Sequence, residues 1–206
     1  MGPPLPAVPL GASLKPSSSR TKIQVEAYLE LLCPYSKRMF DTLDQEVLPI
    51  YKDDPDIDFI VYFIIQPWHP QTTAIHEVSL AVKRVAPESY MDMCRIIYKA
   101  YGEKEFSDEN TIDKSRAQIH EQVISMIPEG VDKDAVKELL QLGPYGNGVT
   151  QDIKFLCKLH RTRGVHVTPT VYVNGLEAGA VSSGWTKEQW IEFLKEKGAD
   201  NFTKTG

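Results

Sequence analysis

Two stretches with alternating strand and helix signals, separated by a long segment without strand signals, constrain the fold of this 206-residue chain most strongly. The first stretch begins with KIQVEAYLELL at residues 22–32, whose early apolar residues alternate as they do in a strand. Residues 57–66, IDFIVYFIIQ, are typical of a strand covered on both faces. The segment between them has helical spacing and opens with Pro34, which suits the first helical position. This order predicts a βαβ unit with a parallel strand pair.

The segment without strand signals runs from Gln71 to Leu142, where the apolar residues follow a helical period. It predicts an all-α insertion at about residues 71–148. The second stretch starts with a helix that ends at Gly164 and continues with VHVTPTVYVNG, a strand pattern that Pro169 interrupts and that ends in an Asn174-Gly175 turn. A capping box of Thr186 and Gln189 then marks the last helix. Together these elements predict an α/β fold, with helices flanking a central mixed sheet and an inserted helical segment.

Residues 1–21 are rich in proline and serine and show no apolar periodicity. Such a segment buries too little apolar surface to offset its ordering entropy, so we predict a disordered tail followed by one domain at residues 22–200. The tail lacks the basic and apolar regions of a secretory signal. No apolar run reaches the roughly 18 residues that a membrane span needs.

The charge and cysteine content restrict the partners and the compartment. A formal net charge of -5 argues against nucleic acid or an anionic membrane as a partner. The three cysteines are too few and too scattered for a disulfide framework, and they favour a reducing compartment. We therefore expect a cytoplasmic protein. The histidines and cysteines do not have the spacing of a metal site, so we expect no bound metal.

Cys33 lies where the first predicted strand meets the first predicted helix, in the motif CPYS. At a helix N-terminus, unpaired backbone N–H groups and the helix dipole stabilise a thiolate, which is the nucleophile in disulfide exchange. Ser36 occupies the position that a second cysteine takes in a dithiol redox motif. Its hydroxyl can donate to the Cys33 sulfur but cannot resolve a mixed disulfide. The alternative is that Cys33 is a small buried residue without chemistry.

The Cys33-Pro34 pair between strand and helix, followed much later by Thr168-Pro169 before a strand, resembles the thioredoxin fold. With its inserted helices the chain resembles the disulfide oxidoreductases of the DsbA family over roughly residues 22–197. The resemblance implies that Cys33 is the nucleophile and that Ser36 replaces the resolving cysteine. It also implies that Thr168-Pro169 form a cis-proline loop against the sulfur, with Pro34 and Tyr35 beside the bound substrate.

The motif Cys33-Pro34-Tyr35-Ser36 leaves three functions open. Monothiol glutaredoxins have a C-x-x-S motif, and their example implies a monothiol thiol–disulfide oxidoreductase with glutathione as co-substrate and no bound cofactor. Kappa-class glutathione transferases and the isomerases related to them share the inserted helices, and their example implies that Cys33 or Ser36 activates bound glutathione. The third function is a non-catalytic module that binds an extended peptide of a protein partner.

The segment QPWHP follows the second predicted strand at its carboxyl end, where functional residues lie in open α/β sheets. His69 is therefore a candidate to lie near Cys33 and stabilise a thiolate, while its other interpretation is a residue that caps the next helix. Cys94 and Cys157 fall on apolar stripes with helical spacing. We expect both to be core residues without a redox role.

Overall fold

The computed structural model describes residues 10–14 and 23–197, and the chain divides into two compact units. The first, here called the sheet unit, consists of the described residues of Gly11–Phe63 and Gly164–Gly206. The second, here called the helical unit, consists of Ile64–Arg163 together with the described residue that precedes the sheet unit. The two halves of the sheet unit are thus separated in sequence by the helical unit.

The sheet unit contains five described strands in the order β1-β3-β2-β4-β5. They are β1 (Ala12–Ser13), β2 (Ile23–Leu29), β3 (Ile57–Phe63), β4 (Thr170–Val173) and β5 (Leu176–Glu177). β2 and β3 are parallel, with Ile23 opposite Ile57, whereas β4 runs antiparallel to β2. The predicted parallel pair is confirmed, and the sheet is mixed. Because β2 is the central strand, the residues that follow it are flanked by β3 and β4.

Strand β1 falls within the segment that the sequence predicts to be disordered. Ala12 and Ser13 pair antiparallel with β3, and the Ser13 hydroxyl donates to the buried Asp58 carboxylate at 2.9 Å. The structure differs from the prediction here because hydrogen bonds to an otherwise open sheet edge order these residues without any apolar periodicity. The rest of the predicted tail, residues 1–9 and 15–21, lies outside the described residues.

The helix after β2 begins at Pro34, as predicted, and has three segments: α1 (Pro34–Thr42), a π-helical stretch (Leu43–Val47) and α2 (Leu48–Tyr51). Pro49 explains the π-helical stretch, because proline has no N–H to donate and its ring clashes with the carbonyl four residues earlier. Met39 and Phe40 on α1 are each 1% exposed. These apolar side chains fix the rotation of α1 and hence the direction of its first turn.

Strands β4 and β5 form the hairpin that the Asn174-Gly175 pair predicts. Both residues have positive φ angles, 49° and 84°, which a tight hairpin turn of this kind requires. The Asn174 backbone N–H donates to the Gln24 carbonyl at 2.9 Å, which ties the turn to β2. After the hairpin comes α9 (Lys187–Glu196), which starts with the predicted capping box of Thr186 and Gln189.

The helical unit contains six described α-helices. They are α3 (Thr72–Val85), α4 (Tyr90–Gly102), α5 (Asp108–Thr111), α6 (Arg116–Ser125), α7 (Lys133–Leu140) and α8 (Thr150–Thr162). α3 packs against α4, α6, α7 and α8 and is mostly buried. Arg84 on α3 also forms two hydrogen bonds to Asp152 on α8, at 2.9 and 3.0 Å. The unit therefore extends to Arg163, beyond the expected end of the insertion near residue 148.

A buried carboxylate on α3 joins several parts of the helical unit. Glu77 accepts hydrogen bonds from Arg116 and Asn147 and contacts the ring of His120 at 2.9 Å. Burial alone would raise the pKa of Glu77, but the hydrogen bonds from His120 and Arg116, with their charges, hold it below its ordinary value. Glu77 is therefore ionised near neutral pH.

Within the described residues, no helix has the length and apolar character to cross a membrane.

Candidate active site

Cys33 caps the first helix of the sheet unit. It is the N-cap residue of α1, with φ -90° and ψ 121°, and its side chain accepts a hydrogen bond from the Ser36 N–H at 3.4 Å. The Cys33 N–H donates to the Glu30 carbonyl at 3.1 Å, which closes the turn between β2 and α1. The sulfur thus lies at the positive end of the helix dipole, as the sequence predicts. Cys33 is 6% exposed, so only a small part of it meets solvent.

The loop before β4 lies against the sulfur of Cys33. The Cys33 thiol donates to the Thr168 carbonyl, with 3.4 Å between sulfur and oxygen, across 135 positions of sequence. The Thr168-Pro169 peptide bond is cis. The structure therefore brings together four of the predicted site residues: Cys33, Ser36, Thr168 and Pro169.

Ser36 is fully buried, at 0% exposure, and its side chain faces the backbone. The Ser36 hydroxyl accepts a hydrogen bond from the Glu30 N–H at 3.2 Å. Its backbone N–H, and not its hydroxyl as the sequence analysis expects, is the group that contacts the Cys33 sulfur. Ser36 therefore holds the turn and contributes a backbone donor to the sulfur.

The surroundings of Cys33 differ in exposure. Pro34 is exposed, and Tyr35 is 54% exposed. Val167, immediately before Thr168, is 48% exposed. Two exposed apolar side chains thus follow Cys33 and precede Thr168 in sequence, and both belong to the sheet unit.

Sequence reasoning does not single out Arg38, which the structure places in the same region. The Arg38 guanidinium carbon lies 5.7 Å from the centre of the Tyr35 ring. The spacing of three residues between Tyr35 and Arg38 on one helix is the signal that could have identified this pair. Arg38 is exposed and adds a positive charge beside Tyr35.

His69 belongs to the helical unit, so its predicted position near Cys33 stays a prediction. Its carbonyl accepts a hydrogen bond from the Thr72 N–H at 3.0 Å, in the turn that leads into α3. Trp68 is 54% exposed. Among the residues that the structure describes, no group of histidine, cysteine and acidic side chains has the arrangement of a metal site.

The two other cysteines are unfavourable places for a thiolate. Cys94 is fully buried, and burial raises the pKa of its thiol despite a hydrogen bond from Tyr90. Burial also raises the pKa of Cys157, against the opposing charge of Arg161. The core position predicted for Cys94 is confirmed, whereas Cys157 is only half-buried. Its stripe on α8 also carries His160, which is 7% exposed.

No family model matches the sequence, and no curated protein matches it. Solved structures do match the fold. A Pseudomonas syringae protein provisionally assigned as a protein-disulfide isomerase is 21% identical, with a TM-score of 0.70 over 86% of this chain and 96% of that chain. BdbD from Bacillus subtilis, solved in the oxidised form, is 13% identical, with a TM-score of 0.59 over 95% and 97% of the two chains. ScsC from Proteus mirabilis is 15% identical, with a TM-score of 0.56 over 91% and 72%.

These similarities define the class of fold. The chain is a DsbA-like domain of the thioredoxin fold, with a mixed five-stranded sheet and an inserted helical unit. The fold predicted from the sequence is therefore confirmed. At this level of identity the comparison establishes the fold alone, so the chemistry has to be argued from the residues around Cys33.

Proposed function

We propose that this chain is a monothiol thiol–disulfide oxidoreductase in which Cys33 forms mixed disulfides with glutathione or with an extended peptide of a protein partner. The observation that carries the proposal is the pair of contacts at the Cys33 sulfur: a helix N-terminal N–H on one side and the Thr168 carbonyl on the other. The DsbA-like fold is compatible with the same chemistry, because one solved neighbour is provisionally assigned as a protein-disulfide isomerase.

The two contacts suit two protonation states of the sulfur. The protonated thiol donates to the Thr168 carbonyl, whereas a thiolate has no proton to donate and keeps the Ser36 N–H and the helix dipole as its stabilising partners. The Ser36 N–H therefore remains a partner of the sulfur when the sulfur acts as a nucleophile.

The reaction balances with glutathione as the second thiol. The Cys33 thiolate attacks one sulfur of glutathione disulfide, a Cys33–glutathione disulfide forms, and the departing glutathione thiolate takes up a proton. A glutathione thiolate then attacks the mixed disulfide, which regenerates Cys33 and glutathione disulfide. With a peptide disulfide as the first substrate, the same two steps free one peptide thiol, join the other peptide sulfur to glutathione and regenerate Cys33. A second glutathione thiolate then attacks this disulfide, which completes the reduction of the peptide and forms glutathione disulfide. The Ser36 hydroxyl has no part in either exchange, because a hydroxyl forms no disulfide.

Glutathione disulfide itself tests the proposal. The protein is incubated with it at several pH values, the adduct is followed by intact mass, and peptide mapping identifies the modified cysteine. We expect one glutathione, on Cys33, formed at least about tenfold faster than any adduct on Cys94 or Cys157, because burial disfavours the thiolate of both. Cys33→Ser is the control and is expected to abolish the adduct.

Three other outcomes would contradict the proposal. Equal modification of Cys157 and Cys33 would mean that Cys33 has no special reactivity. Saturable glutathione binding without a covalent adduct would favour the transferase alternative, and partner capture that Cys33→Ser leaves unchanged would favour the binding module. A cytoplasmic, reducing location belongs to the same proposal, and the three cysteines, all free in the structure, suit it.

A further inference from the structure

We propose that Arg38 makes the Cys33 site selective for disulfides that carry carboxylates, so that it favours glutathione disulfide over a cationic disulfide. This inference rests on the proposed function of Cys33 as a nucleophile. Three observations on the sheet unit carry it: where the guanidinium lies, which groups lie near it, and that its charge is not neutralised.

The guanidinium of Arg38 reaches back toward the N-terminus of α1. Long helical side chains point toward the preceding turn, and the Arg38 guanidinium carbon lies 5.7 Å from the Tyr35 ring centre. Tyr35 comes two positions after Cys33, within the first turn of α1. The positive charge therefore lies beside the end of the helix at which the Cys33 sulfur reacts.

Two groups lie near the guanidinium. The first is the Tyr35 ring, in cation–π geometry. The second is Gly184, where an added side-chain carbon would lie 3.6 Å from Arg38 Nη1. Gly184 is held in a tight turn, because its N–H donates to the Ser182 hydroxyl at 3.3 Å. Neighbours that restrict the guanidinium lower the entropy lost when it binds an anion.

The charge of Arg38 is available to a ligand. Within the described residues Arg38 forms no ion pair, whereas its neighbour Lys37 is paired with Asp41. An arginine guanidinium has five N–H donors in a planar fork, which matches a carboxylate. The whole chain has a net charge of -5 and would on average repel anions. A local cation beside the nucleophile counters that repulsion for substrates that reach the site.

The chemical step is the first exchange described above. The Cys33 thiolate attacks one sulfur of the disulfide, a Cys33–substrate disulfide forms, the substrate disulfide breaks, and the leaving thiolate takes up a proton. In glutathione disulfide, the half that becomes attached carries two carboxylates. Arg38 binds one of them while the sulfurs react, and it takes no part in the transfer of electrons.

The test compares two probes on one protein. Second-order rate constants for modification of Cys33 are measured by mass spectrometry with glutathione disulfide, which is anionic, and with cystamine, which is cationic. We expect Arg38→Ala to lower the ratio of the two rate constants about three- to fivefold, the size of an exposed charge interaction. Arg38→Glu is expected to lower it further, and added salt to shrink the difference in the unmodified protein.

Lys37→Ala is the matched control, since it removes the same charge from the adjacent residue. If Arg38 binds the substrate directly, Lys37→Ala leaves the ratio within about twofold, because the Lys37 charge is already paired with Asp41. An equal effect of both substitutions would mean that any positive charge in this region changes the ratio to the same extent. That result would overturn the inference. A ratio that Arg38→Ala does not change would also overturn it, while the proposed function would stand. If neither probe modifies Cys33, the proposed function itself fails.

Discussion

Replacing Ser36 by cysteine is expected to convert a protein that accumulates a mixed disulfide into one that closes a disulfide within its own motif. The Ser36 N–H lies 3.4 Å from the Cys33 sulfur, and positions three apart on a helix have neighbouring side chains. A thiol introduced at position 36 can therefore attack the Cys33–glutathione disulfide and release glutathione. Because this step is intramolecular, it should be faster than attack by free glutathione. The fraction of protein that carries glutathione should therefore fall by roughly tenfold or more.

The measurement is the fraction of protein that carries glutathione after exposure to glutathione disulfide and acid quenching. The expected product of Ser36→Cys has lost two hydrogens and carries no glutathione. The matched control is Cys33→Ser combined with Ser36→Cys, in which the introduced thiol is buried and has no partner. That control is expected to carry neither modification. Persistent glutathione on Ser36→Cys would mean that the two side chains do not meet, and the geometry argued for this turn would be wrong.

The sequence predicts the elements that follow from periodicity and turn chemistry. Pro34 correctly places the start of α1, Asn174-Gly175 the hairpin, and Thr186 the start of α9. These signals are local, because each residue fixes its own backbone or satisfies a nearby N–H. The order of the elements then leaves few topologies, so the DsbA-like fold could be predicted as a whole.

Features that depend on distant contacts could not be predicted. Strand β1 is two residues long, and its order comes from pairing with β3 rather than from a pattern of its own. The role of Ser36 depends on which way its hydroxyl points: it faces the Glu30 N–H and not the sulfur. Gly184, far along the chain, lies near the Arg38 guanidinium, and no local pattern predicts that proximity. The reactive residue of the candidate site, Cys33, could thus be predicted from the sequence. The orientation of Ser36 and the surroundings of Arg38 could not.

A buried histidine in the helical unit is expected to make stability fall steeply in mildly acidic solution. His76, on α3, is fully buried, and neither ring nitrogen has a hydrogen-bond partner within the described residues. Burial lowers the pKa of His76 from 6.5 to about 3. The unfolded chain therefore binds a proton near pH 6.5 that the folded chain does not accept until about pH 3.

The sign follows from proton binding. Where the unfolded state holds more protons, the free energy of unfolding rises with pH, so the contribution of His76 is complete above its ordinary pKa and is lost as the pH falls. Between about pH 7 and about pH 5 the loss is about 2 kcal/mol. The carboxyl of Glu77 acts in the same direction, but mainly below its ordinary pKa of 4.5. Comparison with the His76 variants, rather than the pH interval alone, therefore identifies the contribution of this histidine.

The prediction is tested by urea unfolding of the full chain at both pH values. Between about pH 7 and about pH 5, the free energy of unfolding of the unmodified protein should fall by about 2 kcal/mol more than that of His76→Gln, whose side chain does not titrate. His76→Leu is the second variant, in case the buried amide prevents folding, and His166→Gln is the control because His166 is exposed. Only the difference between the two pH values enters the comparison, so a variant that is less stable overall remains informative. If neither His76 substitution reduces the pH dependence, the prediction is wrong. His76 would then accept a proton in the folded protein as readily as in the unfolded chain.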